Sequence, residues 1–400
     1  MTSTAGHLTE LTQYRQQFPA LANKAYFNFG GQGPMPESAI ASILQAHTTS
    51  QQQGPFSNQV NQWIYHEMQQ TREAIAQLLQ VSADTITLTE NVSSGCNIPL
   101  WGVDWREGDH LLLTDCEHPS VIGTAEEIRY RFGVKVTTCP MLETLNGGDP
   151  VAVIAQHLRP TTRMVVVSHV LWNTGQVLPL RAIADVCHTA DNTYTPVRVL
   201  VDAAQSVGVL PLNLDELGVD FYAFTGHKWL CGPAGIGGLY VRPDALESIR
   251  PTFIGWRGLT KDSTGNPIGY QSDGRRFEVA TSDFTLCGAL REAIALHEQW
   301  GTATQRYRHI CQLSKKLWEK LQAIPQVSCL RTAPPESGLV SFRIANANHN
   351  RIVQALEQKN IYVRTILHPD CIRACVHYFT QESELDHLVN AVHRLVENEV

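Results

Sequence analysis

VRVLVDAAQ (197–205) and VDFYAFTGHK (219–228) decide the fold class, because each is a short run of β-branched and aromatic residues that ends abruptly in polar chemistry. Runs this short and this apolar read as strands buried on both faces. The signature recurs outward from the pair in TITLTE (85–90), HLLLTD (110–115), VKVTTCP (134–140), VAVIAQHL (151–158), TRMVVVSHV (162–170) and IGGLYVR (236–242). Helical stretches such as PLRAIADVCHTA (179–190) fall between them. Alternation of this kind predicts an α/β domain on a mostly parallel sheet, from residue 20 to about 285, with ligands gathering beyond the strand ends.

Before the sheet, residues 8–19 have an amphipathic helical pattern, and AYFNF (25–29) reads as a short strand entering the loop GGQGPMP (30–36). A helical region follows from about 37 to 79, and NVSSGCNIPL (91–100) reads as a turn entering a helix. Residues 255–285 are rich in Gly and polar residues, as in a long functional loop. A helical stretch over 286–321 precedes LVSFRI (339–344), IYVRTI (361–366) and IRACVHYF (372–379). A smaller α/β domain over 286–400 is expected, with 1–19 packing against it.

Four hundred residues accommodate two such units, and 43% hydrophobic against 17% charged residues argues against disorder. A formal charge of -7 gives no global attraction to nucleic acid or to an anionic membrane. The first residues show neither a basic leader nor an apolar run, and no later stretch is long enough to span a bilayer, so cytoplasm is the expected compartment. The 10 cysteines form no CxxC pair, which points to reduced, structural thiols. His110, Cys116 and His118 match no closed zinc spacing, and no metal is expected.

Three places carry chemistry. Lys228 follows a strand and precedes a glycine-rich turn in apolar surroundings; it is either a surface lysine beside a loop or an amine kept neutral enough to form an imine with an aldehyde cofactor. Thr225 and His227, just before it, are placed to hydrogen-bond a phosphate. Asp202 ends an apolar strand, where it is either a satisfied structural acid or the acceptor for a protonated ring nitrogen, with Gln205 near the same ring. Ser93, Ser94 and Gly95 sit where a strand yields to a helix, a phosphate-binding arrangement that an ordinary serine cap also produces.

In order, TENVSSG (89–95), CEHPS (116–120), SHVLWNTG (168–175), VDAAQSVG (201–208), TGHKW (225–229) and IRACVHYF (372–379) resemble the aminotransferase class V branch of the fold-type I pyridoxal-phosphate enzymes. Within it the chain is most similar to cyanobacterial cystine C–S lyases, with cysteine desulfurases, selenocysteine lyases and isopenicillin N epimerase-like proteins as relatives. The resemblance implies a mostly parallel seven-stranded sheet with a smaller α/β domain, and pyridoxal 5'-phosphate carried on Lys228. It implies that His118 stacks on the ring, Asp202 meets the ring nitrogen, and Gln205 and Asn173 lie near the phenolic oxygen. Ser93, Ser94, the backbone around Val92, Thr225 and His227 would hold the phosphate. A homodimer is implied, with Thr281 of the partner's long loop completing that cup. Asn28, Gly31, Trp256 and Arg373 fall to the substrate, Arg373 holding its carboxylate through the planar guanidinium fork.

The implied reaction is β-elimination from cystine or cysteine, Lys228 serving as base, to give cysteine persulfide or sulfide with pyruvate and ammonia. Supply of sulfur to an iron–sulfur cluster acceptor is an associated expectation. Desulfuration or selenocysteine cleavage giving alanine, epimerisation, and a catalytically silent scaffold are the alternatives. Desulfurases of this family place a nucleophilic cysteine on a loop shortly before the substrate arginine. In YVRTILHPDCIRACVHYF (362–379) that loop looks trimmed, and Cys371 and Cys375 share the strand face of Arg373.

Overall fold

The computed structural model describes residues 11–193 and 196–398. Of the helix expected over 8–19, residues 8–10 lie outside the described residues, and 11–16 are helical. After a short strand β1 (Ala25–Tyr26) come the strands of the central sheet: β2 (Ile86–Thr89), β3 (His110–Thr114), β4 (Lys135–Cys139), β5 (Thr162–Ser168), β6 (Arg198–Asp202), β7 (Phe221–Thr225) and β8 (Gly237–Val241). Their order in space is β2-β8-β7-β6-β5-β3-β4, with β8 antiparallel to both neighbours and the other pairs parallel.

One apolar run did not become a strand. VAVIAQHL belongs to the helix Pro150–His157, because the Asp149 side chain accepts from the N–H groups of Val151 and Ala152 while Pro150 opens the first turn. Within the sheet, Met164 and Val166 of β5 pack with Leu111, Leu113 and Leu200 on one face. Val165 and Val167 pack with Leu112, Val199 and Val201 on the other. Both faces are therefore dry, which is why the runs show no polar alternation.

The 255–285 segment contains more order than a plain loop: β9 (Leu259–Lys261) and β10 (Pro267–Tyr270) form an antiparallel hairpin. Its return is fastened by a buried bidentate pair, in which Arg72 donates to Glu278 at 3.1 and 2.6 Å. Glu278 also accepts from the Leu88 N–H at 3.0 Å.

The C-terminal part adds β11 (Val327–Cys329), β12 (Leu339–Ile344), β13 (Ile361–Tyr362), β14 (Arg364–Leu367) and β15 (Asp370–Cys375). Four of these form the antiparallel sheet β11-β12-β15-β14, backed by the helices Ala303–Gln322, His349–Glu357 and Glu382–Asn398. Residues 25–27, placed by their sequence at the head of the larger unit, pack here instead. β1 pairs in parallel with β13, and Ala25 and Phe27 join Phe342, Ile361 and Ile372 in the second core. Upstream, Tyr14 hydrogen-bonds Tyr378 at 2.6 Å and Arg15 pairs with Glu384 at 2.9 Å.

The loop after β1 then crosses the end of the large sheet. Gly33 donates its N–H to the His227 carbonyl at 2.7 Å, and a Cβ there would lie 2.2 Å from the Lys228 carbonyl oxygen, so only glycine permits the crossing. Among the described residues no helix is long and apolar enough to cross a membrane.

Candidate active site

At the C-terminal ends of β5, β6 and β7 lies a cavity of about 490 Å³, to which Ser93, His118, Asp202, Gln205, His227 and Lys228 all contribute lining. Lys228 follows β7, and its side-chain amine forms no hydrogen bond or ion pair among the described residues. Burial pushes its amine down; the Asp202 charge opposes this and Arg373 reinforces it, leaving a value of about 8. Such an amine is neutral in a usable fraction near physiological pH. Asp202 ends β6 as a buried carboxylate; it accepts from the Ala204 N–H at 2.9 Å and has no cation in contact among the described residues.

Asn91 caps the helix Val92–Gly102, its side chain accepting from the Ser94 N–H at 3.0 Å. That leaves the N–H groups of Val92 and Ser93, both lining the cavity, as the open positive end of the helix. Ser94 itself does not line the cavity. Thr225 is buried behind His227 and hydrogen-bonds its Nδ1 at 2.6 Å. His227 is pushed below the usual imidazole value by burial and then by the Lys228 charge. His118 caps the helix Pro119–Phe132, meets the Trp172 ring edge to face at 5.8 Å, and is likewise held low by burial. His110 is occupied elsewhere, its two ring nitrogens each 2.7 Å from a threonine hydroxyl, Thr162 and Thr137.

A second group of unsatisfied polar atoms marks the side facing the C-terminal sheet. Arg373 is 2% exposed, donates to the Trp172 carbonyl at 2.6 Å, and has no carboxylate partner among the described residues. Its Nε, the Asn28 and Asn173 Oδ1 atoms and the Trp172 Nε1 are buried without a hydrogen-bond partner. Asn173 donates its Nδ2 to the His368 carbonyl at 3.0 Å. A Cβ on Gly30 would meet Gln205 Oε1 at 2.8 Å and both Arg373 Nη2 and Cys375 Sγ at 3.0 Å, so this glycine lets three elements converge. Gly31 turns back on Asn28, donating to its carbonyl at 2.9 Å. Gln205 joins the two groups, donating to the Gly30 carbonyl at 3.0 Å and accepting from the Trp229 indole at 2.8 Å.

This constellation lies within residues 25–388, which match the model of the aminotransferase class-V family. The chain belongs to that family. Among solved structures it is similar to the cystine C–S lyase C-DES in complex with its reaction product, cysteine persulfide, at 52% identity and a TM-score of 0.92, covering 94% of this chain and 99% of that one. A C-DES mutant with glycine covalently linked to its PLP cofactor gives a TM-score of 0.93 at 52% identity, over 95% of this chain and 98% of the other. A probable cysteine desulfurase of Methanothermobacter thermautotrophicus is 26% identical over 93% of this chain and 94% of its own length.

Thr281 and Trp256, which the class-V resemblance assigned to the site, do not line the cavity of their own chain, and neither do Ser94, Asn28, Gly31, Asn173, Thr225 and Arg373, of which the last five stand with the groups described above. Thr281 is exposed, and Trp256 is 52% exposed with the Arg257 guanidinium over its ring at 4.7 Å. Both ride on the 255–285 segment, which the Arg72–Glu278 pair fixes to the helix Asn58–Leu79. Conversely, Arg364 was missed. It stands directly across from Arg373 in the β14–β15 register, and its charge depresses both Lys228 and His118. The only signal in the sequence was two arginines flanking a short turn, and their pairing depends on the hairpin closing.

The residues fit a phosphate-bearing aldehyde with a basic ring. An unpartnered amine, a buried acid with no cation in contact, and two open helical N–H groups face one cavity, each complementary to one part of such a molecule.

Proposed function

We propose that this class-V chain is a pyridoxal-phosphate-dependent carbon–sulfur lyase that cleaves cystine, and cysteine less readily, by β-elimination. Lys228 would attach the cofactor, Asp202 would meet its ring nitrogen, His118 would lie on the ring, and Val92, Ser93, Thr225 and His227 would hold its phosphate. When bound, pyridoxal phosphate supplies an aldehyde for the substrate amine and a ring that accepts the electron pair released at Cα.

The protein's own part is to orient and to move protons. Arg373 binds the α-carboxylate through its fork and aims the Cα–H bond. Lys228, once released to the neutral amine, takes the Cα proton. Sulfur leaves Cβ as cysteine persulfide from cystine or as sulfide from cysteine, and water hydrolyses the three-carbon remainder to pyruvate and ammonia. Cystine carries two carboxylates, and Arg364 beside Arg373 offers a second cation for the distal one.

The observation that carries elimination over desulfuration is the β14–β15 hairpin. Leu367 pairs with Asp370, so only His368 and Pro369 join the strands, and Cys371 and Cys375 are fully buried on β15. No mobile loop exists there to carry a nucleophilic thiol to substrate sulfur. Similarity to C-DES, at 52% identity, supports the same reading. We place the enzyme in the cytoplasm as a homodimer, Thr281 of one subunit reaching the phosphate of the other, with an iron–sulfur acceptor as recipient of the sulfur. Incubation with cystine should yield pyruvate and ammonia in equal amounts with persulfide; alanine as the main product would overturn elimination.

A further inference from the structure

Glu117 has no part in the site described above, yet it is buried directly beside it. Its Oε1 accepts from the Thr114 hydroxyl at 2.6 Å and the Ser168 N–H at 3.0 Å, and its Oε2 lies 2.8 Å from the Ser168 hydroxyl oxygen. Ser168 lines the cavity and is the register partner of Asp202 in the β5–β6 ladder. Two carboxylates, 3% and 6% exposed, thus stand on either side of one serine, and neither has a cation in contact among the described residues.

Two anions in one dry region cannot both keep their charge cheaply, so one takes a proton. Asp202 faces the cavity and the lysine; Glu117 faces only hydroxyls, one N–H and thiols. The other titratable groups around Glu117 are Cys96 from the helix Val92–Gly102, Cys116 beside it, and Cys139 at the end of β4, all thiols pushed up by burial and therefore neutral. Asp202 is the charge that acts on it, and His118 is its chain neighbour.

We propose that Glu117 is a positioning residue that is protonated at neutral pH and donates that proton to the Ser168 oxygen, turning the Ser168 hydroxyl hydrogen toward the cavity. When Glu117 is ionised, the serine hydrogen returns to it and Ser168 presents only lone pairs to the cavity. The serine therefore changes from donor to acceptor across the titration of an acid that never touches the ligand. Burial first, and then the Asp202 charge, push the Glu117 carboxyl up to about 8, against the hydrogen bonds from Thr114 and Ser168 that favour its ionised form.

The inference rests on the pyridoxal-phosphate reading only for what Ser168 addresses, so its first test omits the cofactor. In the apoprotein, the infrared spectrum of wild type minus Glu117→Gln at pH 7 should contain the carbonyl stretch of a protonated carboxyl, lost on raising the pH to 10. A carboxylate band at pH 7 overturns the proposal even if the enzyme proves to be a lyase.

The second test uses the holoenzyme. Glutamine keeps the shape and an N–H donor, so E117Q should bind cofactor at pH 7 within about twofold of wild type, since the neutral form is the working one. Above pH 9 the visible band of wild type should shift and its cofactor affinity fall, while E117Q and the double variant with Ser168→Ala stay flat. Identical band profiles for wild type and E117Q from pH 6 to 10, or a tenfold loss of cofactor affinity in folded E117Q at pH 7, would overturn it. A protein that forms no borohydride-reducible adduct at Lys228 would instead sink the cofactor reading and leave the infrared result standing.

Discussion

Asp202 and Asp220 are both buried beside β6 and β7, at opposite ends of the sheet, and are treated in opposite ways. Asp220, 0% exposed, is held by Arg198 at 2.8 Å, Arg242 at 2.9 Å, His188 at 2.8 Å and the Val199 N–H at 2.7 Å. Burial pushes its carboxyl up, but His188, that N–H and Arg242 outweigh it, and the net value falls below the ordinary carboxylate range. Asp202 receives one N–H and no cation in contact. An acid whose field is fully met is part of the scaffold; an equally buried acid left unmet is reserved for something that arrives later. Arg373 is the same lesson with the sign reversed.

Lys228→Ala is the sharpest way to break this contrast. If Lys228 merely neutralised Asp202 as the arginines do Asp220, its removal would strand a buried charge and lower Tm. We expect instead that turnover falls at least about a thousandfold, because imine partner and base are lost together, while Tm holds and substrate still binds. Near-normal turnover in the purified variant would assign the chemistry to another residue.

The paired asparagine variants come next. Asp202→Asn should cost on the order of a hundredfold or more in kcat/KM with little change in denaturant midpoint, the acceptor of a protonated ring nitrogen being gone. Asp220→Asn should do the reverse, losing roughly 3–5 kcal/mol of stability at neutral pH with kcat of the folded fraction preserved. Because the folded-state pKa of Asp220 is depressed, that stability is present above the ordinary carboxyl range and disappears as pH falls through the folded value. The gap between D220N and wild type should therefore narrow in acid; a gap constant from pH 7 to pH 3 would mean that shape, not charge, matters there.

The same distinction explains what the sequence could disclose. Seven of the eight apolar runs are strands because burial on both faces writes itself into consecutive residues, and Asp202, Ser93 and Lys228 stood out because each sits where such a run stops, whereas His118 was assigned only through the class-V resemblance. VAVIAQHL misled because one capping aspartate, not its apolar content, chose the helix. Pairing of β1 with β13 and of Arg364 with Arg373 was invisible, since each joins segments through hydrogen bonds that no local pattern encodes. Glu117 lies within CEHPS but has no distinguishing context in the sequence, because only the fold brings Ser168 and Asp202 beside it.

Arg373→Lys tests whether the unmet cation is read for geometry as well as charge. Lysine keeps the charge but loses the fork, so KM for cystine should rise about tenfold or more, with a smaller fall in kcat. Unchanged KM would mean that Arg373 only braces Trp172, whose carbonyl it now holds at 2.6 Å.

The smallest expected effect separates elimination from desulfuration. Cys371 and Cys375 flank Arg373 on β15, on the face that meets Gly30 and Ser341, so proximity alone would allow either thiol to be a sulfur carrier. Three observations oppose it. Both side chains are fully buried on a paired strand; the turn before them has only two residues; and burial pushes the Cys371 thiol up to about 12, away from the thiolate that attack requires. A carrier thiol must also leave with its sulfur, and a strand held on both sides by β12 and β14 gives it no path outward. Cys371→Ser with Cys375→Ser should therefore keep cystine cleavage within about twofold and still release pyruvate, as expected for inert buried thiols. If the double variant still binds substrate yet releases no sulfur, and wild type yields chiefly alanine, then β15 is mobile enough to carry persulfide and the lyase assignment gives way to a desulfurase.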